Sequence, residues 1–187
     1  MKIAYELVLD GQSFPLVLEF SDDGELAGCR GGTQVSGGVD AVPAAEVDSL
    51  PAGARAGVAE IVAVLDRYAA GDVDALRAVE LPKGGPGAPT GFAGAVREEL
   101  RTIAAGEART YKELAEALDN PNGSRAVGGA LASNPCLLFI PCHRVVQKGK
   151  VSRRLDGSTA VKDAGNYAGG VAMKEALLRH EGVAVLN

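Results

Sequence analysis

Apolar and polar residues alternate along the first part of the chain, a pattern typical of half-buried β-strands. Apolar side chains occupy every second position over residues 3–9, which predicts a strand with one buried face. Asp10-Gly11 has the composition of a two-residue hairpin turn, and residues 14–20 are predicted to form the partner strand. Residues 26–30 are predicted to be a third strand. Residues 31–53 show no clear period and are predicted to be a loop.

A helical period then replaces the alternation. The spacing of Val58, Ile61, Val62 and Leu65 predicts a helix near residues 54–70, followed by a short helix near residues 73–78. Glycine and proline dominate residues 83–89, a composition that breaks regular structure. The predicted organisation is therefore an α/β domain over residues 1–86 and a mainly helical domain over residues 87–187.

The second domain has the outline of a helix-turn-helix. A helix is predicted from Thr90 to about residue 104, and Thr110-Tyr111-Lys112-Glu113 has the form of a capping box that starts a second helix. After a turn over residues 119–123, Ser124 is predicted to cap a third helix over residues 125–132. Helix, tight turn and short helix describe a helix-turn-helix, and an ordinary helical hairpin is the alternative.

Two glycines interrupt this third helix. Each of Gly128 and Gly129 costs about 1 kcal/mol in a helix interior, so a close approach of another group is expected there. A DNA minor groove and a tightly packed second helix explain the glycines equally well at this stage. Residues 147–169 are polar and predicted to be a loop, and a last helix is predicted to follow, ended by Gly182.

Composition and charge narrow the class of protein. The 187 residues are 47% hydrophobic, which suffices for one large or two small domains. No apolar run is long enough to span a bilayer. An early charge in place of a signal-peptide core, together with three cysteines, predicts a reducing, cytoplasmic location, or a nuclear one in a eukaryote. With 4% aromatic residues and no Trp, stacking platforms for single-stranded nucleic acid are not expected.

The net charge of −5 hides an uneven distribution. Residues 1–96 hold 6 Lys+Arg and 14 Asp+Glu, whereas residues 97–154 hold 10 and 6. The basic excess of the second segment suggests a surface that faces a polyanion.

The candidate chemistry lies in residues 134–146, Asn-Pro-Cys-Leu-Leu-Phe-Ile-Pro-Cys-His-Arg-Val-Val. The apolar run before Pro141 is expected to be extended, because proline restricts the preceding residue. Cys142 then lies beside His143, and an adjacent base is one means of activating a thiol. A buried core cysteine is the alternative for the dipeptide alone. Glu175, near the buried face of the last helix, is a candidate to orient the histidine.

Pro141-Cys142-His143-Arg144-Val145, with Asn134-Pro135 before it, resembles the active-site signature of the O6-alkylguanine-DNA alkyltransferases. Further motifs in matching order extend the resemblance over most of residues 90–182. These are Thr110-Tyr111, Arg125-Ala126-Val127-Gly128-Gly129-Ala130, Asn166-Tyr167-Ala168-Gly169-Gly170, Lys174-Glu175 and His180-Glu181-Gly182.

The resemblance implies direct repair of DNA by alkyl transfer. A damaged guanine, or an O4-alkylthymine, would be flipped out of the duplex and would pass its alkyl group irreversibly to Cys142. His143 would take the thiol proton through a water molecule, and Glu175 would orient His143. Asn134 would fix the active-site turn. Tyr111 would rotate the 3′ phosphate and hydrogen-bond the leaving guanine.

The resemblance also implies a DNA face and a base pocket. Arg125 would fill the gap left by the flipped base, with Ala126, Gly128, Tyr111 and Arg144 also at the DNA. The pocket would be lined by Tyr167, Ala168 and Pro141. The implied fold is a ribonuclease-H-like α/β domain followed by a winged-helix-like domain. The protein is expected to be a monomer that binds the minor groove of double-stranded DNA. Neither a cofactor nor a metal is implied, and no membrane.

The chain departs from the family pattern in several places. Arg97 and Ala104 replace a usual aromatic and a usual proline, and Cys29 is the only cysteine available for an N-terminal zinc site. The loop after Val146 is about half a dozen residues longer than expected and includes Arg153-Arg154. Three other functions remain open: a non-catalytic lesion-binding protein of the same fold, a helix-turn-helix transcription regulator with a redox-sensitive cysteine, and a cysteine hydrolase.

Overall fold

The N-terminal part, residues 1–31 and 42–81, contains a four-stranded sheet. The computed structural model describes residues 1–31, 42–81 and 90–186. The strands are β1 (Lys2–Leu9), β2 (Gln12–Phe20), β3 (Leu26–Gly31) and β4 (Val42–Pro43), in the order β3-β2-β1-β4. Neighbouring strands are antiparallel except β4, which runs parallel to β1. Asp10 and Gly11 both have positive φ, 50° and 74°, so the predicted hairpin turn is confirmed.

One long helix covers the sheet. Helix α1 (Ala52–Ala69) buries Val58, Ile61, Leu65 and Tyr68 and packs against β1. Two 3₁₀ helices flank it, Ala44–Ser49 and Ala75–Ala78. The prediction of a loop over residues 31–53 is therefore wrong at Gly31, which ends β3, for residues 42–49, which form β4 and a 3₁₀ helix, and for residues 52–53, which begin α1. These elements are too short to show a period in the sequence. Residues 32–41 lie outside the described part of the chain, as does the predicted domain boundary between residues 86 and 87.

The C-terminal part is mainly helical, as predicted. Its helices are α2 (Gly91–Thr102), α3 (Tyr111–Ala117), α4 (Ser124–Ala132) and α5 (Val171–His180). Helices α3 and α4 pack together as a helix-turn-helix, with α2 across α4. The Thr110 capping box is confirmed, since Glu113 N donates to Thr110 Oγ1 (3.1 Å) and Thr110 N donates to Glu113 Oε2 (2.7 Å). Ser124 is not a cap, because Gly123 occupies that position.

Short strands complete this part. Strands β5 (Arg109–Thr110) and β6 (Val145–Val146) pair in parallel. Strands β7 (Val151–Arg153), β8 (Thr159–Val161) and β9 (Ala184–Val185) form a second small sheet. The prediction of a simple loop over residues 147–169 is wrong, because β7 and β8 form a hairpin there. Its tip is turned by Asp156-Gly157, where Gly157 has φ 83° and Asp156 Oδ1 accepts from Ser158 N (2.9 Å).

A backbone contact joins the two parts beside the Cys-His stretch. Cys29 of β3 forms a parallel bridge with Cys136. In this bridge Cys29 N donates to Pro135 O (3.0 Å), and Leu137 N donates to Cys29 O (2.9 Å). Buried residues of both parts belong to one hydrophobic cluster. No helix in the described residues is both long and apolar enough to cross a membrane.

The capping box predicts a measurable contribution to stability. We expect Thr110→Ala to lower the free energy of unfolding by about 1 kcal/mol, because it leaves the Glu113 amide without its acceptor. Thr102→Ala is the control, since this hydroxyl bonds within the exposed end of α2 and its loss should change stability by less than about 0.5 kcal/mol. Urea unfolding measures both; equal effects would contradict the assignment of the cap.

Candidate active site

A chain of tight turns presents Cys142. The predicted extended run before Pro141 is wrong beyond Cys136. Leu138 has a positive φ of 69°, and the Ile140 amide donates back to Cys136 O (3.0 Å). Pro141 then adopts φ −79° and ψ 60°, and Cys142 N donates to Ile140 O (2.8 Å), the geometry of an inverse γ-turn. Internal turn bonds satisfy these backbone groups in place of a neighbouring strand.

Asn134 fixes this turn and contacts the sulfur. Its Nδ2 donates to Ile140 O (2.9 Å) and to Cys142 Sγ (2.9 Å). Its Oδ1 accepts from Cys136 N (3.0 Å). The side-chain amide of Asn134 therefore ties the start of the turn to its end, which is the role that the family resemblance implied for this residue.

Burial governs the state of the thiol. Cys142 is buried, and this raises the pKa of the thiol above its ordinary value, although the Asn134 hydrogen bond and the Lys174 ammonium oppose the shift. Lys174 is itself buried, and its Nζ donates to Val145 O (2.7 Å). Burial lowers the pKa of Lys174 to about 8. At neutral pH the site therefore holds a thiol, and a base must remove its proton before it can act as a nucleophile.

A buried base lies beside the thiol. His143 is fully buried, and its Nε2 lies 3.0 Å from Glu181 Oε1. Burial lowers the pKa of His143 despite the nearby carboxylate, so the imidazole is neutral at pH 7. Among the described residues its Nδ1 has no hydrogen-bond partner. With Nε2 donating to the carboxylate, Nδ1 is the ring nitrogen that can accept a proton.

Glu181 forms a buried, bidentate ion pair with Arg144. Its Oε2 accepts from Arg144 Nε (2.8 Å), and its Oε1 accepts from Arg144 Nη2 (2.7 Å). Burial alone would raise the pKa of Glu181, but His143 and Arg144 more than offset it and lower the pKa to about 2. The carboxylate is thus charged and fixed behind the imidazole.

Glu175 has a different position from the one predicted. Glu175 does not orient His143; it lies on α5 and pairs with Arg179 (3.1 Å). Glu181 takes the predicted role, because the chain reverses at Gly182, where Val183 N donates to Leu178 O (2.9 Å). This bond is part of a Schellman ending of α5, and His180-Glu181-Gly182 was the available signal for it.

Arg144 is also placed differently from the prediction. Its side chain is 3% exposed, and its third contact is a bond from Nη1 to Ile103 O (2.6 Å). A guanidinium buried on a carboxylate and a carbonyl cannot contact DNA, so the prediction of a DNA contact is wrong. The neighbouring residue, Pro141, lines a separate cavity of about 170 Å³ rather than the one that contains the thiol.

The thiol opens into a cavity of about 330 Å³, within the range of small-molecule sites. Its other lining residues are Tyr111, Gly128, Leu131, Ala132, Asn166, Tyr167 and Ala168. The hydroxyl of Tyr167 is buried without a hydrogen-bond partner in the described residues.

A basic surface groove adjoins this cavity. It has a volume of about 460 Å³ and shares Tyr111, Gly128 and Asn166 with the cavity. Its remaining lining includes Lys112, Ser124, Arg125, Gln147 and Lys148. Arg125 and Ala126 are exposed on α4. The groove thus connects the helix-turn-helix to the opening above the thiol.

Fold and site together define a class of α/β protein in which a helix-turn-helix is joined to a buried cysteine site. The family model described as "6-O-methylguanine DNA methyltransferase, DNA binding domain" matches residues 91–183. The solved structure of Mycobacterium tuberculosis OGT in complex with DNA superposes with a TM-score of 0.60. The two chains are 30% identical, and the match covers 89% of this chain and 86% of the M. tuberculosis chain.

Curated relatives have the same name in several organisms. The methylated-DNA–protein-cysteine methyltransferase of Shigella flexneri is 39% identical over 122 residues, 65% of this chain and 62% of that protein. The human protein of the same name is 47% identical over 83 residues, 44% of this chain and 34% of that protein. The chain thus matches about three fifths and one third of these relatives. It belongs to the methylated-DNA–protein-cysteine methyltransferase family.

The two glutamates should differ in how much they contribute to stability. At pH 7 we expect Glu181→Gln to lower the free energy of unfolding by about 3 kcal/mol, because it leaves the buried Arg144 charge uncompensated. Glu175→Gln, the matched control, should change it by less than about 0.5 kcal/mol. Urea unfolding at pH 7 measures both.

The Glu181 effect should also depend on pH. A carboxylate with a depressed pKa stabilises the fold above its ordinary pKa of 4.5, and that stability is lost as pH falls towards about 2. A difference between wild type and Glu181→Gln that stays constant from pH 7 to pH 3 would contradict the buried ion pair.

Proposed function

We propose that this protein repairs DNA by transferring an alkyl group from O6 of guanine to its own Cys142, once per molecule. The observation that supports this most directly is the placement of the thiol. It lies at the base of a cavity, with the amide of Asn134 on its sulfur and the His143–Glu181 pair behind it. O4-alkylthymine is a second substrate of the same chemistry.

The transfer is a single displacement. The Cys142 sulfur forms a bond to the alkyl carbon as the bond from that carbon to O6 breaks. His143 takes the thiol proton through a water molecule, and this proton then passes to the departing guanine, so protons balance. Burial raises the pKa of the Tyr111 hydroxyl, which therefore remains protonated and can donate a hydrogen bond to the departing base. The thioether is stable, so the protein is not regenerated.

Neutral His143 supports this role for the base. A general base must be unprotonated before the reaction, and burial keeps the imidazole neutral at pH 7. Glu181 then stabilises the imidazolium that forms, as the carboxylate does in other triads. The raised pKa of the thiol explains why a base is needed.

The DNA face is α4 with the adjoining groove. A Cβ added at Gly128 or Gly129 would meet nothing within 4 Å, so packing inside the protein does not require these glycines. A partner that approaches the helix closely does, and a minor groove is narrow enough to need small side chains. Ala126, Gly128 and Tyr111 would then face the sugar-phosphate backbone, and Lys148 would add a phosphate contact.

Base flipping follows from the depth of the thiol. A nucleobase inside a duplex cannot reach a buried sulfur, so the guanine must leave the stack at a cost of a few kcal/mol. Arg125 would occupy the vacated position, and Tyr167 and Ala168 would bind the flipped base. The ribonuclease-H-like and winged-helix-like descriptions of the two parts, the monomeric state and the cytoplasmic location stay predictions.

Intact mass tests the transfer. After incubation with a duplex that contains one O6-methylguanine, the wild type should gain one methyl group per molecule, on the peptide containing Cys142. Cys142→Ser should gain none, and Cys136→Ser should react as the wild type does. Tight binding to the lesion duplex without a mass gain would indicate the non-catalytic lesion-binding protein instead. If the wild type shows no binding to the lesion duplex and no mass gain, a role in this repair is refuted.

Arg125 should matter for duplex DNA and not for a free base. We expect Arg125→Ala to lose ~1.4 kcal/mol of flipped-state stabilisation, which slows transfer from a duplex about tenfold. Transfer from free O6-benzylguanine should be unchanged, because no stack must be refilled. Arg67→Ala is the control, because it removes the same charge from the exposed side of α1. Rates come from quenched time courses, and equal slowing on both substrates would contradict the assignment.

A further inference from the structure

The N-terminal part contributes one buried side chain to the site. Tyr68, near the end of α1, is fully buried. Its hydroxyl donates to Glu181 Oε1 (2.9 Å), a residue 113 positions later in the chain. Burial and the adjacent carboxylate raise the pKa of Tyr68 well above its ordinary value, so the group stays a hydroxyl and a donor.

The end of α5 holds Tyr68 from a second side. His180 Nε2 lies 2.6 Å from Tyr68 O, and since a carbonyl only accepts, this nitrogen is the donor. The two rings lie 4.9 Å apart at 60°. Tyr68 is thus held at its backbone by His180 and at its hydroxyl by Glu181, so the position of the hydroxyl is well defined.

Glu181 receives an unequal set of donors. Within the described parts of the chain Oε2 accepts from Arg144 Nε, whereas Oε1 accepts from His143, Arg144 and Tyr68. The hydroxyl of Tyr68 therefore bonds to the same oxygen that bonds to the imidazole. A donor on that oxygen fixes its direction and draws negative charge away from the histidine.

We infer that Tyr68 is a positioning residue for proton transfer at Cys142, so that the N-terminal part completes the site through the Tyr68–Glu181–His143 chain. This inference rests on the proposed function. Tyr68 touches neither the thiol nor the cavity that contains it, and it acts through Glu181 on the basicity and orientation of His143.

The direction of its effect can be stated. Groups from three parts of the chain face His143. Lys174 lies on α5 and Glu181 at the end of that helix. Cys142 and Arg144 flank His143 in its own turn, and Tyr167 lies in the loop before α5. Loss of the Tyr68 hydroxyl leaves more negative charge on Glu181. The imidazolium form of His143 is then favoured, and the histidine becomes neutral only at higher pH.

Tyr68→Phe tests the inference, because it removes only the hydroxyl. We expect methyl transfer from an O6-methylguanine duplex at pH 7 to slow about tenfold, the ratio that ~1.4 kcal/mol produces. The acidic limb of the rate–pH profile should move to higher pH. Tyr5→Phe is the matched control, since it removes a hydroxyl that donates from the same sheet-and-helix unit to Asp66 on α1 (2.7 Å), and its rate and profile should equal those of the wild type.

A fluorinated side chain supplies the opposite change. 3-Fluorotyrosine at position 68 keeps the hydroxyl and makes it a stronger donor, so the acidic limb should move to lower pH. Opposite shifts in the two variants support positioning. An unchanged profile in both, or a uniform loss of rate without any shift, would overturn the inference and leave Tyr68 a packing residue. The fluorinated variant also decides the matter if Tyr68→Phe does not fold.

Thiol chemistry separates this inference from the proposed function. The rate of Cys142 alkylation by iodoacetamide against pH, followed on the Cys142 peptide by mass spectrometry, needs no DNA. If the wild type accepts no methyl group, the repair function fails, but the Tyr68 variants should still shift this thiol profile. If the wild type is methylated and neither variant shifts either profile, the inference about Tyr68 alone fails.

Discussion

A buried charge must be paired, and the carboxylate of Glu181 imposes this constraint on most of the molecule. Its side chain is fully buried, where an uncompensated charge costs several kcal/mol. The compensating donors come from the turn after Pro141, as Arg144 and His143, and from α1, as Tyr68. The end of α5, the cysteine turn and the N-terminal helix are therefore fixed relative to one another by a single group.

The same burial determines the chemistry of the thiol. Desolvation raises the pKa of Cys142 and lowers that of His143, so the resting site holds a neutral thiol and a neutral imidazole rather than a preformed ion pair. This suits the proposed role of an acceptor that reacts once, because a thiol is a much poorer nucleophile than a thiolate. Asn134 and Lys174 lower the cost of forming the thiolate without abolishing it, so a base is still needed to take the proton.

Short-range patterns in the sequence predicted those parts of the fold and site that local physics determines. The hairpin at Asp10-Gly11 and the capping box at Thr110 are set by neighbouring residues, and Asn134, Cys142 and His143 lie within one turn motif. Glu181 was missed because helical periodicity ranks residues by the face of α5, and Glu181 is the C-cap, one residue past the last residue of that helix. Arg144 was placed at the DNA by the family resemblance, whereas its actual partner, Glu181, lies 37 residues later. Such long-range pairings depend on tertiary packing, which local patterns do not encode.

The distribution of charge explains how the two parts share the work. Residues 1–96 hold 14 Asp+Glu against 6 Lys+Arg, so a polyanion repels this half, whereas α4 and its groove present Arg125 and Lys148. The acidic half can contribute to the proposed DNA-facing site through groups that add no negative charge. The backbone bridge of Cys29 with Cys136 and the hydroxyl of Tyr68 are both neutral contacts of this kind. The first supports the turn that carries the thiol, and the second supports the carboxylate behind His143, so the acidic half fixes the geometry on which the proposed transfer depends.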